Sequence, residues 1–116
     1  MTTAGFDLTR LLRLVGLGAR SRGVVIGVEQ CKVAVLKNKV AFVVVALDAS
    51  ENTRKKIIPL LNARRIRFVE VPSATELGGV VGRQATACVG IVDRQLAKGV
   101  RELVESGSSR AEQGVV

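Results

Sequence analysis

The chain contains no histidine. That absence removes Ser/His/Asp and Cys/His catalysis, imidazole acid–base work and every histidine-containing metal site. Tryptophan and tyrosine are also missing, and three phenylalanines make up the 3% aromatic content. Binding of single strands by stacking successive bases on aromatic rings is therefore poorly supplied. Two cysteines, Cys31 and Cys88, are too few to close a structural zinc site alone. Cys31 falls in a helical pattern and Cys88 in an apolar strand-like run, so both read as reduced core thiols. No apolar run approaches the roughly 20 residues that span a bilayer, and the opening MTTAGFDLTR lacks the basic start and apolar stretch of a secretory signal. The expectation is a cytoplasmic protein with no membrane segment, no metal and no cofactor.

What is present is a globular composition with a strong basic excess. The 116 residues are 47% hydrophobic and 24% charged, which fits one domain with one core. A net charge of +8 favours a polyanionic partner, nucleic acid first and an anionic membrane surface second. The charge is unevenly spread along the chain. Residues 1–22 carry four arginines against Asp7, residues 23–67 carry nine Lys/Arg against Glu29, Asp48 and Glu51, and residues 68–116 carry five against six. The first two-thirds of the chain thus supplies the basic surface.

Hydrophobic periodicity then orders the elements. Leu8, Leu11, Leu12 and Val15 recur at helical spacing and predict an amphipathic helix over residues 6–17,. The following Gly16, Gly18 and 19–23 read as an exposed basic loop. Val24–Ile26 reads as a short strand, 28–37 as a second helix, and 40–46 as an apolar, β-branched strand buried on both faces,. Asp48-Ala-Ser-Glu51 resembles a helix start. Pro59 lacks an interior N–H and predicts a break into two short helical pieces before Arg64,. Residues 67–71 alternate, with Phe68 on one face of a strand and Val69 and Val71 on the other,. Ser73-Ala-Thr-Glu76 reads as a capping box for a short helix that stops at Gly78, Gly79 and Gly82,. A strand over 86–92, a cap at Asp93 and a last helix carrying Leu96, Val100, Leu103 and Val104 complete the domain, 1–105, with a Gly/Ser-rich tail, 106–116, expected to fray,. Strands separated by helices favour an α/β/α sandwich.

Three glycine-bearing segments are candidates for binding. Gly16-Leu-Gly18 lies at a helix end and matches no full nucleotide-binding pattern,. Gly27 passes from strand into helix, which presents free amides and the positive end of the helix dipole; the alternative is a plain tight turn. The stretch Gly78-Gly79-Val-Val-Gly82-Arg83-Gln84-Ala85 combines permissive backbone with a guanidinium and an amide, and its alternative is an ordinary connection. Carboxylates paired for acid–base catalysis are not evident, since Glu76 has a capping role and Glu70 lies on another element. Cys31 beside Lys32 is a weak nucleophile. The residues therefore point away from an enzyme.

Gly27-x-Glu29-Gln30, Asn38, the strand at 40–46, Leu47-Asp48-Ala49, Ile58-Pro59-Leu60-Leu61, Val71-Pro72-Ser73-x-x-Glu76-Leu77-Gly78 and Ala87-Cys-Val-Gly-Ile91 together resemble the kink-turn-binding ribosomal-protein superfamily. Residues 14–22 and 50–56 are most similar to its small bacterial YlxQ-like branch. The resemblance implies a three-layer α/β/α sandwich around a four-stranded mixed sheet, and recognition of RNA with a sharp bend flanked by sheared G·A pairs. By position it implies that Gly27, Glu29, Gln30 and Lys32 form a first site and that Arg83, Gln84 and Ala85 cover extruded bases. Three departures stand out, one of them that the second loop lacks the family's usual apolar pair. Glu29 occupies a position where such proteins carry Asn or Lys, and Val33 stands where they carry a lysine. A glutamate there accepts from a base amino group instead of gripping phosphate.

The expected function is non-catalytic recognition of structured RNA, ribosomal RNA included, with a ribosomal or translation-factor protein as a further partner. Arg20, Arg22 and Lys32 are expected on phosphates. The alternative is a protein-interaction adaptor that uses the near-neutral residues 68–116.

Overall fold

A computed structural model describes residues 6–115, with side chains described through Glu105. The chain alternates α1 (Leu8–Arg20), β1 (Val24–Ile26), α2 (Val28–Leu36), β2 (Phe42–Ala46), α3 (Glu51–Ala63), β3 (Phe68–Val71), α4 (Ala74–Val80), β4 (Cys88–Ile91) and α5 (Arg94–Val115). The strands form one mixed sheet in the order β1-β4-β2-β3. Strands β2 and β3 are parallel, and β4 lies antiparallel to both β1 and β2.

Side-chain alternation sorts the two layers of helices. Phe42 and Val44 of β2 face one way, together with Val69, Val71, Val89 and Ile91, and are covered by Leu11 and Val15 of α1, Leu77 of α4, and Ala97 and Val100 of α5. Val43 and Val45 face the other way with Cys88, under Cys31 and Val35 of α2 and Ile57 and Leu61 of α3. The 40–46 run thus reads as an inner strand because both of its faces are covered. Each fully buried Leu, Ile or Val contributes roughly 1.5–3 kcal/mol by leaving water. The structure is the expected three-layer α/β/α sandwich around a four-stranded mixed sheet.

Several local expectations are corrected. Helix α1 runs three residues past Leu17, and Gly16 and Gly18 are buried within it. A Cβ on Gly18 would stand 2.2 Å from Leu96 Cδ2, and one on Gly16 would stand 3.1 Å from the Val80 carbonyl oxygen. These glycines admit close packing, and Gly16-Leu-Gly18 is no phosphate loop. Pro59 sits inside one continuous α3. Both Pro59 and Lys55, whose carbonyl loses its partner, are exposed, so water can satisfy the freed oxygen. Helix α4 passes through Gly78 and Gly79 and ends only before Gly82, whose φ of +82° leaves helical space. Strands β2 and β4 are shorter than the apolar runs that contain them.

The caps are equally specific. Asp7 accepts from the Arg10 amide, Ser50 from Thr53, and Ser73 from Glu76 at 3.1 Å. Asp93 Oδ1 accepts from the Gln95 and Leu96 amides at the start of α5. Asp48, expected to help start α3, instead accepts from the Ala74 amide at 2.8 Å and ties the β2–α3 turn to α4. The expected fraying from Ser106 onward lies outside the residues whose side chains are described. No helix of the described residues is long and apolar enough to cross a membrane.

Candidate functional site

Strand directions decide which turns meet. Ile26 of β1 pairs with Val89 of antiparallel β4, and Val45 of β2 pairs with Cys88. The end of β1, the end of β2 and the start of β4 therefore share one end of the sheet, joined there by the end of β3. At this end the Gly27 amide donates to the Cys88 carbonyl at 2.9 Å, and the Ala46 amide donates to the Ala87 carbonyl at 2.8 Å. The two loops read from sequence as candidates, the Gly27 turn and the 82–87 loop, are thus held side by side by backbone hydrogen bonds.

Gly27 has φ +95° and ψ 157°, a region that is essentially restricted to glycine. It begins α2 without a side-chain cap, in contrast to the capped starts of the other four helices. The amides of the first turn of α2 therefore face outward with the positive end of the helix dipole behind them. A Cβ on Gly27 would meet nothing within 4 Å, so the surface above it is open. Glu29 and Gln30 are exposed on this first turn, and Lys32 is half-buried just beyond it. Val33, in the lysine position of the resembling family, is 46% exposed.

The second loop is shaped from behind by α4. The Arg83 amide donates to the Gly78 carbonyl at 2.8 Å, and the Thr86 amide donates to the Ala74 carbonyl at 3.0 Å. Thr86 is buried, and its hydroxyl donates to the Cys88 carbonyl at 3.1 Å. The loop is pinned at both ends, while Arg83, Gln84 and Ala85 between the pins are exposed. Gly78 was read from sequence as a helix stop, yet a Cβ there would lie 2.5 Å from Ala85 Cα and 2.7 Å from its N and C. It is a positioning residue of the loop. The compact Glu76-Leu77-Gly78 stretch was the available signal, but only the fold shows what that glycine touches.

The nine residues expected to bind do not form one surface. Gly27, Glu29, Gln30 and Lys32 meet Arg83, Gln84 and Ala85 at one end of the sheet. Arg22 lies in the turn entering β1, at the opposite end, where the Gly23 carbonyl accepts from the Val92 and Asp93 amides. Arg20 ends α1 and lines, with Arg13 and Gly79, an open cleft of about 450 Å³ between α1 and α4. Neither arginine adjoins Gly27.

The end of the sheet that carries the two loops is not the basic one. Glu29, Asp48, Glu51 and Glu76 stand at or before the starts of α2, α3 and α4, against Lys32, Lys55 and Arg83, and Lys55 already pairs with Glu51 at 3.6 Å. Arg54 and Glu70 pair with each other. The chemistry on offer is hydrogen bonding from amides, carboxylate, carboxamide and one guanidinium. Cys31 and Cys88 are free thiols buried against each other's elements. A hydrogen bond with Cys31, together with burial, pushes the Cys88 thiol far above its ordinary range, so Cys88 is no nucleophile. Among the described residues no group of three or more Cys, Asp or Glu is placed to hold a metal ion.

Comparison with known proteins agrees with this architecture. The chain is 34% identical over 97 residues to the RNA-binding protein YlxQ of Enterococcus faecium, covering 83% of this chain and 92% of that one. It is 29% identical over 92 residues to the RNA-binding protein YlxQ of Bacillus subtilis (strain 168), covering 79% and 92%. A solved structure of a protein of unknown function from Bacillus halodurans superposes with a TM-score of 0.77 at 28% identity, covering 83% of this chain and 97% of the other. The Giardia lamblia 15.5kD RNA binding protein shares the fold, with a TM-score of 0.75 at 21% identity over 93% and 96%. The family described as Ribosomal protein L7Ae/L30e/S12e/Gadd45 matches residues 9–100, and the chain belongs to it.

Proposed function

We propose that this protein is a non-catalytic RNA-binding protein that recognises a sharply bent, kink-turn-like RNA with the end of the sheet formed by the Gly27 turn and the 82–87 loop. The observation that carries this reading is the pairing of an open, uncapped helix start at Gly27 with an exposed, pinned loop beside it. Helical RNA has a deep, narrow major groove, so proteins read its distortions and unpaired bases. An open glycine turn lets backbone approach such a distortion closely. In this reading Glu29 and Gln30 meet base edges, Lys32 meets phosphate, and Arg83, Gln84 and Ala85 cover bases turned out of the stack. The names of the YlxQ relatives support RNA as the ligand, and the family name makes ribosomal RNA, in the cytoplasm, the first RNA to test.

A second reading, an adaptor for another protein, is favoured by one observation. Val33 and Leu36, adjacent on the outer face of α2, are 46% and 53% exposed. RNA affinity separates the two readings. The Arg83→Ala/Gln84→Ala double variant removes exposed side chains from a loop whose backbone is held elsewhere, so thermal unfolding should shift by no more than about 0.5 kcal/mol per substitution. Affinity for a bent RNA should fall about tenfold, equivalent to roughly 1.4 kcal/mol. Unchanged affinity with an intact fold would remove the loop from the site.

A further inference from the structure

A group of exposed cations lies at the end of the sheet opposite the Gly27 turn. There three of the four helix-to-strand turns, those entering β1, β2 and β3, and the β4–α5 turn come together, bringing Arg22, Lys37, Lys39, Arg65, Arg67 and Arg94 to one side, every one of them exposed. The turns are joined directly. The Gly23 carbonyl accepts from the Val92 and Asp93 amides, and Arg64 donates to the Val35 carbonyl and to Asn38 Oδ1. Lys39 and Arg94 line a single open cleft of about 390 Å³. The carboxylates here are engaged: Asp93 caps α5 and Glu105 pairs with Arg67.

We propose that this end is a second RNA-contacting surface, one that grips the phosphate backbone of a helical RNA segment independently of the bent element held at Gly27.

Two features go beyond what fold stability accounts for. Cations near helix C-termini complement the helix dipole, which explains Lys37 and Arg64. It does not explain Arg94, which stands in the first turn of α5, a turn with no acidic residue, where the dipole opposes a positive charge. Nor does it explain the left-handed residues. Arg22 and Arg65 have φ of +62° and +58°, at the position after the helix end where glycine is the usual and least strained residue. Two arginines thus stand at sites where glycine would suit the backbone better,. Adjacent strands lie about 4.8 Å apart, so the row of turns spans about 14 Å, long enough to meet several consecutive phosphates of one strand. The near-neutral Gly27 end has no comparable set of cations, so nonspecific affinity should reside here.

The test uses the full chain and an uninterrupted 20-base-pair RNA duplex. Arg22→Gly/Arg65→Gly removes two charges at positions whose backbone favours glycine, so thermal unfolding should stay at or above that of the wild type. Duplex affinity should fall about tenfold, and the slope of log K against log salt should drop by about two, one for each phosphate contact. Arg22→Lys/Arg65→Lys should restore both. Lys39→Ala/Arg94→Ala should reproduce the loss should the glycine variant fold poorly. Arg83→Ala/Gln84→Ala should leave duplex binding unchanged while weakening bent RNA, which keeps a failure at this end distinct from a failure at the Gly27 end. Duplex affinity and salt slope unchanged in both charge-removing variants would overturn the proposal.

Discussion

Replacing Gly27 with valine is expected to abolish measurable binding to bent RNA while leaving a folded protein. The backbone at Gly27, φ +95° and ψ 157°, costs a side-chain-bearing residue on the order of 1–3 kcal/mol. That is a fraction of the roughly 5–15 kcal/mol that holds a small domain together. No atom within 4 Å would oppose the new Cβ, so the cost to the fold is the backbone strain of a branched residue in a glycine conformation. The branched side chain instead fills the open surface where the proposed ligand approaches. Circular-dichroism melting should show a lowered but cooperative transition, and filter binding should show at least about a hundredfold loss, equivalent to about 2.7 kcal/mol. A Gly27→Val protein that melts at lower temperature yet binds bent RNA normally would remove the turn from the site.

Gly78→Ala is expected to be the most damaging single-methyl substitution in the region. The added Cβ would lie 2.5–2.7 Å from backbone atoms of Ala85. Backbone cannot rotate away as a side chain can, so the Arg83–Ala85 loop must shift. Overpacking of this kind costs roughly 1–3 kcal/mol, and binding to bent RNA should fall by more than in Arg83→Ala/Gln84→Ala, because the whole loop moves. Gly79→Ala provides the matched control. Its Cβ meets nothing within 4 Å, and replacing glycine inside a helix stabilises by roughly 0.5–1 kcal/mol. Calorimetry on the pair should show opposite signs. Equal effects would mean that Gly78 carries no positional role.

The layered fold was readable in the sequence because periodicity reports burial. The 40–46 run is apolar on both faces because β2 lies between β4 and β3 with helices on either side, and Phe68 parts from Val69 and Val71 because each faces a different layer. Punctuation residues were the weak point. Gly16, Gly18, Gly78 and Pro59 all suggest breaks when read locally, yet each sits inside a helix. Tertiary contacts decide the glycine positions, since Leu96 and Val80 leave no room for side chains on α1 and Ala85 leaves none on α4, while Pro59 is tolerated because it and Lys55 face solvent. A long-range bond such as Asp48 to the Ala74 amide has no local signature at all.

The candidate site was legible in part for the same reason. A strand-to-helix glycine and a glycine-rich loop announce themselves, but which end of the sheet each occupies depends on β4 running antiparallel, which neither segment reveals. The charge was harder still. Arg22, Lys39, Arg65 and Arg94 are scattered over 72 residues of sequence and become one surface only through the sheet order. Charge alone puts Arg20 and Arg22 on phosphates together with Lys32, and the fold sets both arginines apart from Lys32 and the Gly27 turn.

The central claim is that shape, not phosphate attraction alone, governs recognition. The direct measurement is the equilibrium affinity of the wild-type chain for two RNAs of equal length at about 0.15 M salt, where the Debye length is about 8 Å. One carries a bulge flanked by sheared G·A pairs and the other is an uninterrupted duplex. The account predicts binding to the bent RNA at least about tenfold tighter, roughly 1.4 kcal/mol, with the difference surviving in Arg22→Gly/Arg65→Gly. Equal affinity for the bent and the straight RNA would contradict it.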